Sequence, residues 1–399
     1  MDVVETIKNF NAGRDPERLQ LKYQRMRADP FAFLRGTCHL FYDRLPISGV
    51  FKNAPLVWSC GDLHLENFGS FKGDSRLPYF DMNDFDEGVL APASWDLVRM
   101  LTSLRVGAQS LGLKPGDAQV LCEQFLDGYG TALEQGKAYW IEAQTAHGLI
   151  KSLLDSLRDR QRVDFLNART QIKGTRRILK IDGKKALPAT TLQRETVKAF
   201  MDEFAASQSH PAFYKVLDVA RRIAGTGSLG VDRYVILVQG KGSPDSHYLL
   251  DLKEALPSSL TPHLKAKQPK WTSQAHRIVA IQQRMQAVSM AFLQPVTMGQ
   301  KPFVLRGLQP SEDRVSINGA KQSFSDIKKV ISTMGAMVAW AQLRSSGRQG
   351  SATTDELIEF AQAKKWKSKL LDASHECAGQ VFQDAAYFYS AFDDGLFQV

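Results

Sequence analysis

The chain of 399 residues has only four cysteines and lacks any long apolar run. The cysteines, Cys38, Cys60, Cys122 and Cys377, are widely spaced and form no C-x-x-C pair, so neither a zinc ribbon nor a disulfide framework is indicated. No stretch approaches the roughly 20 apolar residues that a membrane helix needs. The first residues lack the basic start and the apolar core of a signal peptide. We therefore expect a cytoplasmic protein without a membrane span.

Acidic residues are missing from one long segment, since no Asp or Glu occurs between Ala255 and Ser311. The whole chain carries a net charge of +9, which favours anionic partners such as a nucleotide or a phosphorylated substrate. The densest basic runs, residues 173–185 and 265–270, are not interleaved with aromatic residues as a groove for single-stranded nucleic acid would be. Nucleic acid is therefore not the expected partner.

The most informative stretch is residues 58–69, WSCGDLHLENFG, together with the acidic segment at 79–87, YFDMNDFDE. Asp62 and Asn67 are five residues apart, and each of the two segments follows or contains a short strand-like run. Phosphoryl transfer needs one carboxylate to orient the attacking hydroxyl. It also needs an Asn and a second carboxylate to hold magnesium against the nucleotide phosphates. We therefore interpret Asp62 as the catalytic residue and Asn67 as a metal ligand.

A glycine-rich segment, residues 225–230 with the sequence GTGSLG, lies far downstream. It is followed by two β-prone runs, 234–238 and 248–253, and the second of these ends in Lys253. A dinucleotide-binding unit would have a helix after the glycines, so the strand that follows argues against one. In the hairpin of a kinase the glycines let the backbone approach phosphates, which a strand lysine also contacts. The predicted phosphate-binding residues are Gly225, Gly227, Ser228, Gly230 and Lys253.

Residues 61–67 resemble the catalytic loop of aminoglycoside and choline phosphotransferases, the small-molecule branch of the protein-kinase-like fold. Asp84 lies 12 residues before Asp96, a spacing similar to that between the metal-binding and the later structural aspartate of that branch. The resemblance implies Asp84 as the main metal ligand, with Asp81 and Asp86 as rivals, and Asp86 as the ligand of a second metal. It implies ATP and Mg²⁺ as cofactors. Asp96 is expected to cap the next helix and to brace the catalytic loop.

Most of the chain resembles the DUF2252 family of bacterial proteins, a name that supplies no substrate. The matching stretches are residues 25–26, 30–36, 61–69, 83–87, 225–230 and 252–255. His64 is expected to be a structural hydrogen-bonding group and Cys60 a packed small residue. Arg35 is either a surface cation or a contact for phosphate or an acidic substrate.

The order of the motifs is unusual, because the glycine-rich hairpin precedes the catalytic loop in a kinase but follows it here by about 160 residues. Either the fold is circularly permuted or one motif set is accidental. We favour permutation, since each set supplies what the other lacks and relocated termini are tolerated at a surface. The expected fold is α+β with two lobes. Residues 1–210 and 320–399 form the helical catalytic lobe, and residues 211–319 form the β-rich nucleotide lobe.

The predicted function is ATP- and Mg²⁺-dependent phosphoryl transfer to a hydroxyl group of a small molecule. An adenylyltransferase on the same fold and a nucleotide-binding pseudokinase are the alternatives. A kinase pairs its strand lysine with a glutamate on the next helix, but the helix expected at 273–294 has no acidic residue. Gln282 or Gln286 is therefore expected to face Lys253, with Glu254 or a more distant carboxylate as the alternative.

Overall fold

The structure is a computed structural model that describes residues 2–46, 49–243, 245–309 and 313–399. It has an α+β fold in which a helical part and a six-stranded antiparallel sheet enclose a cavity. The helices are α1 (Val3–Phe10), α2 (Pro16–Ala28), α3 (Pro30–Gly36), α4 (Cys38–Arg44), α5 (Val50–Asn53), α6 (Ala93–Gly107), α7 (Asp117–Gln135), α8 (Gly148–Arg158), α9 (Arg162–Asn167), α10 (Thr191–Ala206), α11 (Gln274–Met285), α12 (Phe324–Ser345), α13 (Thr354–Gln362) and α14 (Trp366–Asp393). The strands are β1 (Leu56–Ser59), β2 (Phe68–Lys72), β3 (Pro78–Met82), β4 (Val89–Pro92), β5 (Ile141–Glu142), β6 (Thr170–Lys173), β7 (Arg176–Leu179), β8 (Ala186–Pro188), β9 (Val216–Arg222), β10 (Arg233–Val238), β11 (Tyr248–Glu254), β12 (Gln294–Met298) and β13 (Lys301–Gly307).

The core of the helical part is built on α7 and α12, which lie against each other, and on α14, which packs along α6. The predicted apolar stripe of α12 is buried, including Ile331 and Val338. The two helix backbones approach closely at two glycines. A Cβ atom on Gly335 would come within 2.1 Å of the Phe125 carbonyl oxygen, and one on Gly128 within 2.1 Å of the Ser332 carbonyl oxygen. Glycine is required at both positions, because any side chain would push the helices apart.

The large sheet has the strand order β12-β13-β11-β10-β9-β8, and all of its neighbours are antiparallel. Helix α10 covers one face of the sheet, where its buried Val197 and Met201 belong to the same apolar cluster as Leu250 and Leu252 of β11. The sheet begins at Ala186, so the β-rich region starts before residue 211, where the boundary was expected. The reason is that β8 pairs with β9 and α10 packs on the sheet.

Two predicted helices are shorter than expected. The helix expected at about 31–44 is broken at Thr37, whose hydroxyl donates to the Phe33 carbonyl oxygen at 2.7 Å, so α3 and α4 are separate. The helix expected at 273–294 ends at Met285. Its next two residues are bound to other elements, since the Gln286 amide donates to the Met82 carbonyl oxygen at 2.6 Å and the Ala287 N–H to Asp81 at 3.3 Å.

Short strands bring the two motif segments, residues 58–69 and 79–87, to the cavity. β1 pairs with β4, so that the loop after β1 and the start of α6 lie side by side. β2 and β3 form a hairpin that directs the acidic segment toward the end of β11. Within the described ranges, no helix is both long enough and apolar enough to span a bilayer.

Candidate active site

A cavity of about 670 Å³ lies between the helical part and the large sheet. It contains most of the residues that the sequence marked as functional: Asp62, Asn67, Asp84, Asp86, Gly225, Gly227, Ser228 and Lys253. Gly230 is different, because it does not line the cavity. Its φ of 88° shapes the turn and its carbonyl oxygen accepts from the Asp15 N–H at 2.9 Å. Gly230 thus shapes the turn, and its assignment to phosphate binding stays a prediction that its position outside the cavity does not support.

Asp62 is held by an arginine that the sequence analysis missed. Arg99, a buried residue of α6, donates from Nε and from one terminal nitrogen to Asp62 Oδ1, at 2.9 and 2.6 Å. The same arginine donates to the Leu34 carbonyl oxygen at 2.8 Å. Burial raises the pKa of Asp62 above its ordinary value, although Arg99 opposes this effect. The carboxylate is thus fixed in orientation and is more basic than an exposed aspartate, as a proton acceptor should be.

Asp96 braces the catalytic loop, as predicted. Its two carboxylate oxygens accept the N–H groups of Cys60 at 3.0 Å and Gly61 at 2.9 Å. It makes no capping hydrogen bond to α6, so the capping part of the prediction is wrong. Gly61 has a φ of 80°, and a Cβ atom there would lie 2.3 Å from the Glu87 carbonyl oxygen. Only glycine fits this position, which places Asp62 at the cavity wall.

His64 and Asn67 stabilise each other within the loop. The His64 N–H donates to Asn67 Oδ1 at 3.0 Å, and His64 Nδ1 accepts the Glu66 N–H at 3.1 Å. Burial lowers the pKa of His64 well below its ordinary value, so the imidazole is neutral. The expectation that His64 is a structural hydrogen-bonding residue is confirmed. Asn67 Oδ1 has a second lone pair, and Asn67 lines the cavity.

The acidic segment meets Lys253 across the cavity. Lys253 Nζ donates to Asp86 Oδ2, an ion pair between residues 167 positions apart in the chain. Burial lowers the pKa of Lys253 to about 8, although nearby Asp84 opposes this effect. Asp84 is exposed within the cavity. Burial alone would raise the pKa of Asp84, but Lys253 and Arg306, with smaller effects from two other arginines, hold it below its ordinary value.

The expectation that a glutamine faces Lys253 is wrong. The Gln282 amide donates to Gln286 Oε1 at 3.1 Å, and the Gln286 amide donates to the Met82 carbonyl oxygen. Both glutamines are buried away from the lysine and anchor the end of α11. The carboxylate that pairs with Lys253 comes instead from Asp86, in the distant acidic segment.

Asp81, the rival of Asp84 as a metal ligand, is occupied elsewhere. Its carboxylate accepts the N–H groups of Met82 at 2.8 Å and Ala287 at 3.3 Å, and it pairs with Arg344 at 3.5 Å. Asp81 does not line the cavity. It therefore joins β3 to the end of α11, and Asp84 is the carboxylate that remains available to a metal.

The glycine-rich turn between β9 and β10 is fastened by cations from the first helices. Arg14 and Lys22 donate to the Gly227 carbonyl oxygen at 2.7 and 3.0 Å, and Arg25 donates to the Gly225 carbonyl oxygen at 2.6 Å. These residues lie about 200 positions before the turn, in a segment whose sequence is only weakly amphipathic, so no local pattern indicated them. They fix the turn against the cavity.

Two arginines make one end of the cavity basic. Arg35 pairs with Glu66 at 2.6 Å, and Arg314 pairs with the same carboxylate oxygen. Both arginines line the cavity near the catalytic loop. Glu66 pairs with both guanidinium groups, Arg35 also acts on Asp62, and Arg314 also acts on Asp84. Planar guanidinium groups on a cavity wall suit a phosphate ligand. Of the two roles that the sequence left open for Arg35, the placement fits a contact with phosphate.

The opposite end, here called the outer end, is formed by α1, α4 and the segment around Pro262. Phe10 stacks on His39 with ring centroids 3.7 Å apart and an angle of 10° between the rings. Asp43 pairs with His263 at 3.1 Å beside them. Burial lowers the pKa of His39 to about 2, so this imidazole is neutral. The outer end is therefore aromatic, and Arg14 and Lys22 lie over its Phe10 ring at 5.1 and 5.7 Å from the ring centroid.

The face of the sheet that carries Lys253 holds a buried ion cluster next to the lysine. Asp251, two residues before Lys253, is fully buried and pairs with Arg222 at 2.7 Å, Arg233 at 2.6 Å and Arg306 at 3.2 Å. Arg222 also donates to the Gln309 carbonyl oxygen at 2.8 Å. Farther along, the face is covered by an apolar cluster that includes residues of α9, β7 and β8. Two smaller cavities lie on the far side of the ion cluster, one of about 50 Å³ beside Arg222 and one of about 250 Å³ lined by Leu166 and Leu249.

The donor set at the centre fits magnesium. Mg²⁺ prefers oxygen ligands and binds through one or two carboxylates together with substrate phosphates. Asp84 and Asn67 offer such oxygens to the cavity, whereas Asp86 is paired with Lys253. Among the residues that the structure describes, no group of three or more His, Cys, Asp or Glu side chains is placed to hold a metal by itself. A metal here would need phosphate oxygens to complete its shell.

Comparison with known proteins identifies one family. A sequence model of the family described as "Uncharacterized protein conserved in bacteria (DUF2252)" matches residues 14–391. No curated protein and no solved structure matches the chain. The matched range includes every residue that lines the cavity except Thr6, Asn9 and Phe10 of α1.

Proposed function

The chain belongs to the DUF2252 family, and we propose that it is an ATP- and Mg²⁺-dependent phosphotransferase that acts on a hydroxyl group of a small molecule. The observation that carries this proposal is the meeting of Asp62, Asp84 and Lys253 in one cavity, although Lys253 lies 191 positions after Asp62 in the chain. A carboxylate for the acceptor, a carboxylate for the metal and a lysine for the phosphates are the parts that phosphoryl transfer requires.

The order of elements supports a two-lobed, kinase-like fold with a circularly permuted chain. The β9–β10 hairpin carries the glycine-rich turn, the next strand β11 carries Lys253, and α11 follows. This is the order in which a kinase lobe places its glycine-rich loop, its lysine and its helix. Helix α12 comes after the sheet and packs against α7, so the chain returns to the helical part.

Each residue then has a role in the reaction. Asp62 takes the proton of the acceptor hydroxyl, whose oxygen forms a bond to the γ-phosphorus of ATP. The bond between that phosphorus and the β–γ bridging oxygen breaks, and ADP leaves. Lys253, Arg35 and Arg314 hold the phosphates. Magnesium, held by Asp84 and Asn67, would neutralise phosphate charge as it builds up.

The size of the cavity favours a small acceptor. A volume of about 670 Å³ is within the range of pockets that take small molecules. The segment between Asp84 and Asp96 is short and runs directly into β4 and α6, which leaves no room for an activation loop that could bind a protein substrate. The acceptor is therefore proposed to enter the cavity itself.

The test is to incubate the purified protein with Mg²⁺, ATP labelled at the γ-phosphate and fractionated extracts of bacterial metabolites. We expect label on a small molecule with wild-type protein and none with Asp62→Asn. Binding of Mg-ATP without any consumption across all fractions would identify a nucleotide-binding pseudoenzyme. Absence of Mg-ATP binding would overturn the proposal.

AMP transfer is a second candidate, and the ion cluster on the face of the sheet favours it. A base on that face beyond Lys253 would have to displace the ion cluster of Asp251, which favours a nucleotide that runs through the cavity in another direction. A nucleotide placed in reverse would present its α-phosphorus to the acceptor oxygen, and pyrophosphate would leave. Parallel reactions with α-labelled and γ-labelled ATP separate the two candidates, because only AMP transfer moves the α-label to the product.

A further inference from the structure

The outer end of the cavity has no role in the chemistry described above. It contains Phe10 stacked on His39, the contact between Asp43 and His263, and Pro262. His39 is only 6% exposed, and neither of its ring nitrogens has a hydrogen-bond partner among the described residues. Buried polar groups normally have partners, so a histidine without one on a cavity wall points to a ligand.

The phosphates of a nucleotide would lie at the other end. Lys253, Arg35 and Arg314 line the cavity at its centre and near residues 61–67. Arg14 also lines the cavity, beside Phe10, but it donates to the carbonyl oxygens of Gly227 and Leu229 in the glycine-rich turn. This step rests on the proposed function, since it takes the ligand to be a nucleotide. With the phosphates there, the base can extend along the sheet face or toward the outer end.

The sheet face is blocked by a buried ion cluster. Beyond Lys253 it is filled by Asp251 with Arg222, Arg233 and Arg306, and then by the apolar cluster around Leu166 and Leu179. The cavity of about 50 Å³ beside Arg222 and Leu179 is too small for a purine. A cavity of about 250 Å³ lined by Leu166 and Leu249 lies farther along the same face, beyond Asp251, so the ion cluster separates it from Lys253. Placing a base there would break a buried ion cluster, at a large cost in stability.

We propose that the outer end, with Phe10 and His39 as its aromatic wall, is the subsite for the base of the nucleotide. A planar base can pack against the Phe10–His39 pair, since every base has a π-face that aromatic side chains bind. The neutral His39 has one ring nitrogen that donates and one that accepts, and a base edge offers the complementary groups. The subsite includes a residue of α1 that lies outside the part of the chain matched by the family.

The test compares two ligands that differ only in the nucleoside. Binding of Mg-ATP and of Mg-tripolyphosphate is measured by calorimetry for wild type and Phe10→Ala. Phe10 is 37% exposed, so its truncation should not unfold the protein. We expect Phe10→Ala to weaken ATP binding about tenfold and to leave tripolyphosphate binding unchanged. Phe382→Ala, at a phenylalanine of α14 that is 45% exposed and does not line the cavity, is the matched control and should change neither.

The remaining outcomes also decide the question. Equal weakening of both ligands, or of neither, would overturn the base subsite while leaving a phosphate site intact. An unchanged ATP affinity with a raised KM for the acceptor would assign the outer end to the acceptor instead. If wild type binds neither ligand, the proposed function fails together with this inference. Photolabelling with 8-azido-ATP gives a second readout, since peptides of α1 and α4 should carry the label and peptides of α9 and β7 should not.

Discussion

Arg99 donates two hydrogen bonds to one oxygen of Asp62, and the other oxygen, Oδ2, accepts none from the residues that the structure describes. One side of the carboxylate is therefore anchored in the protein, while Asp62 still lines the cavity. A group that receives a proton has to be held in position before the substrate arrives, and a buried arginine does this through its rigid planar donors. Arg99 acts as a positioning residue for Asp62.

Replacing Arg99 by leucine should move the acidic limb of the activity profile to higher pH. Burial raises the pKa of Asp62 and Arg99 opposes this rise, so without the arginine the pKa of Asp62 should climb further. Protonated Asp62 cannot accept a proton, so activity should begin to rise at a higher pH than in wild type. The measurement is kcat/KM as a function of pH. Stability should also fall by about 3–5 kcal/mol, because a buried ion pair is broken.

Arg105→Leu is the control for that experiment. Arg105 lies on the same helix α6 but bonds to Ser374 and Gln119, on the side of α14 and α7. It should lower stability without moving the pH profile. A folded Arg99→Leu variant with the acidic limb of wild type would show that Arg99 does not tune Asp62.

Asp84→Asn and Asp62→Asn should have different effects on binding and turnover. Asp84 is proposed to hold the metal that accompanies the nucleotide, so Asp84→Asn should weaken Mg-ATP binding at least about tenfold. Asp62 is proposed to act on the acceptor, so Asp62→Asn should leave Mg-ATP binding unchanged and lower kcat by about 10²–10⁴. Titration of Mg-ATP into each variant measures the first effect. Equal loss of binding in two well-folded variants would contradict the assigned roles.

Asp86→Asn should weaken nucleotide binding severalfold, because Lys253 then lacks the carboxylate that orients its flexible side chain. Gln282→Leu is the matched comparison. Gln282 bonds to Gln286 at the end of α11 and not to Lys253, so its loss should cost about 1 kcal/mol of stability and leave Mg-ATP affinity unchanged. Affinities from calorimetry and unfolding curves in urea check both parts. The idea fails if Gln282→Leu lowers affinity more than Asp86→Asn.

The sequence predicted the parts of the site that depend on local pattern. The strand before Asp62, the hairpin ending at Lys253 and the apolar stripe of α12 each follow from residues close in the chain. We predicted that the two motif sets share one cavity because each set supplies chemical groups that the other lacks. Complementary chemistry can be recognised between segments that are far apart in the chain, because it does not depend on neighbouring residues.

The sequence did not predict the side-chain partners that only the tertiary packing brings together. Arg99 reaches Asp62 from the middle of α6. In the sequence it cannot be distinguished from any other arginine beside an apolar stripe. The partner of Lys253 was sought on the helix after its strand, but it came from the acidic segment because the β2–β3 hairpin directs Asp86 there. In the same way, Arg14 and Lys22 bind the glycine-rich turn across about 200 residues.

Lys253→Arg should remove the loss of Mg-ATP affinity that we expect as the pH rises above neutral. Burial lowers the pKa of Lys253 to about 8, so in the free protein the ammonium loses its proton as the pH rises through this value. The neutral amine attracts phosphate less, and Mg-ATP affinity should therefore fall between about pH 7 and pH 9. Arginine stays charged throughout this range. Affinity measured at several pH values in both proteins checks the difference, and parallel curves would show that Lys253 does not cause the alkaline loss.

Asp251→Asn should destabilise the sheet strongly. Asp251 is fully buried and balances Arg222, Arg233 and Arg306, so its neutralisation leaves three guanidinium groups without a counter-charge. We expect a loss of about 3–5 kcal/mol at neutral pH, measured by urea unfolding. Arg222→Leu is the control, because it leaves one anion with two cations. It should lower the free energy of unfolding less than Asp251→Asn does.

The pH dependence provides the sharper test of the Asp251 cluster. The three arginines hold the pKa of Asp251 well below its ordinary value, although burial acts in the opposite direction. A depressed pKa in the folded state means that this carboxylate stabilises the fold above the pKa of the unfolded chain. The stabilisation is then lost as the pH falls through the folded pKa. Wild type should therefore lose stability on acidification more steeply than Asp251→Asn, which has no proton to take up. Acid unfolding curves of equal slope in the two proteins would mean that the cluster does not stabilise the sheet through charge, and the argument that it closes the sheet face to a nucleotide base would lose its energetic support.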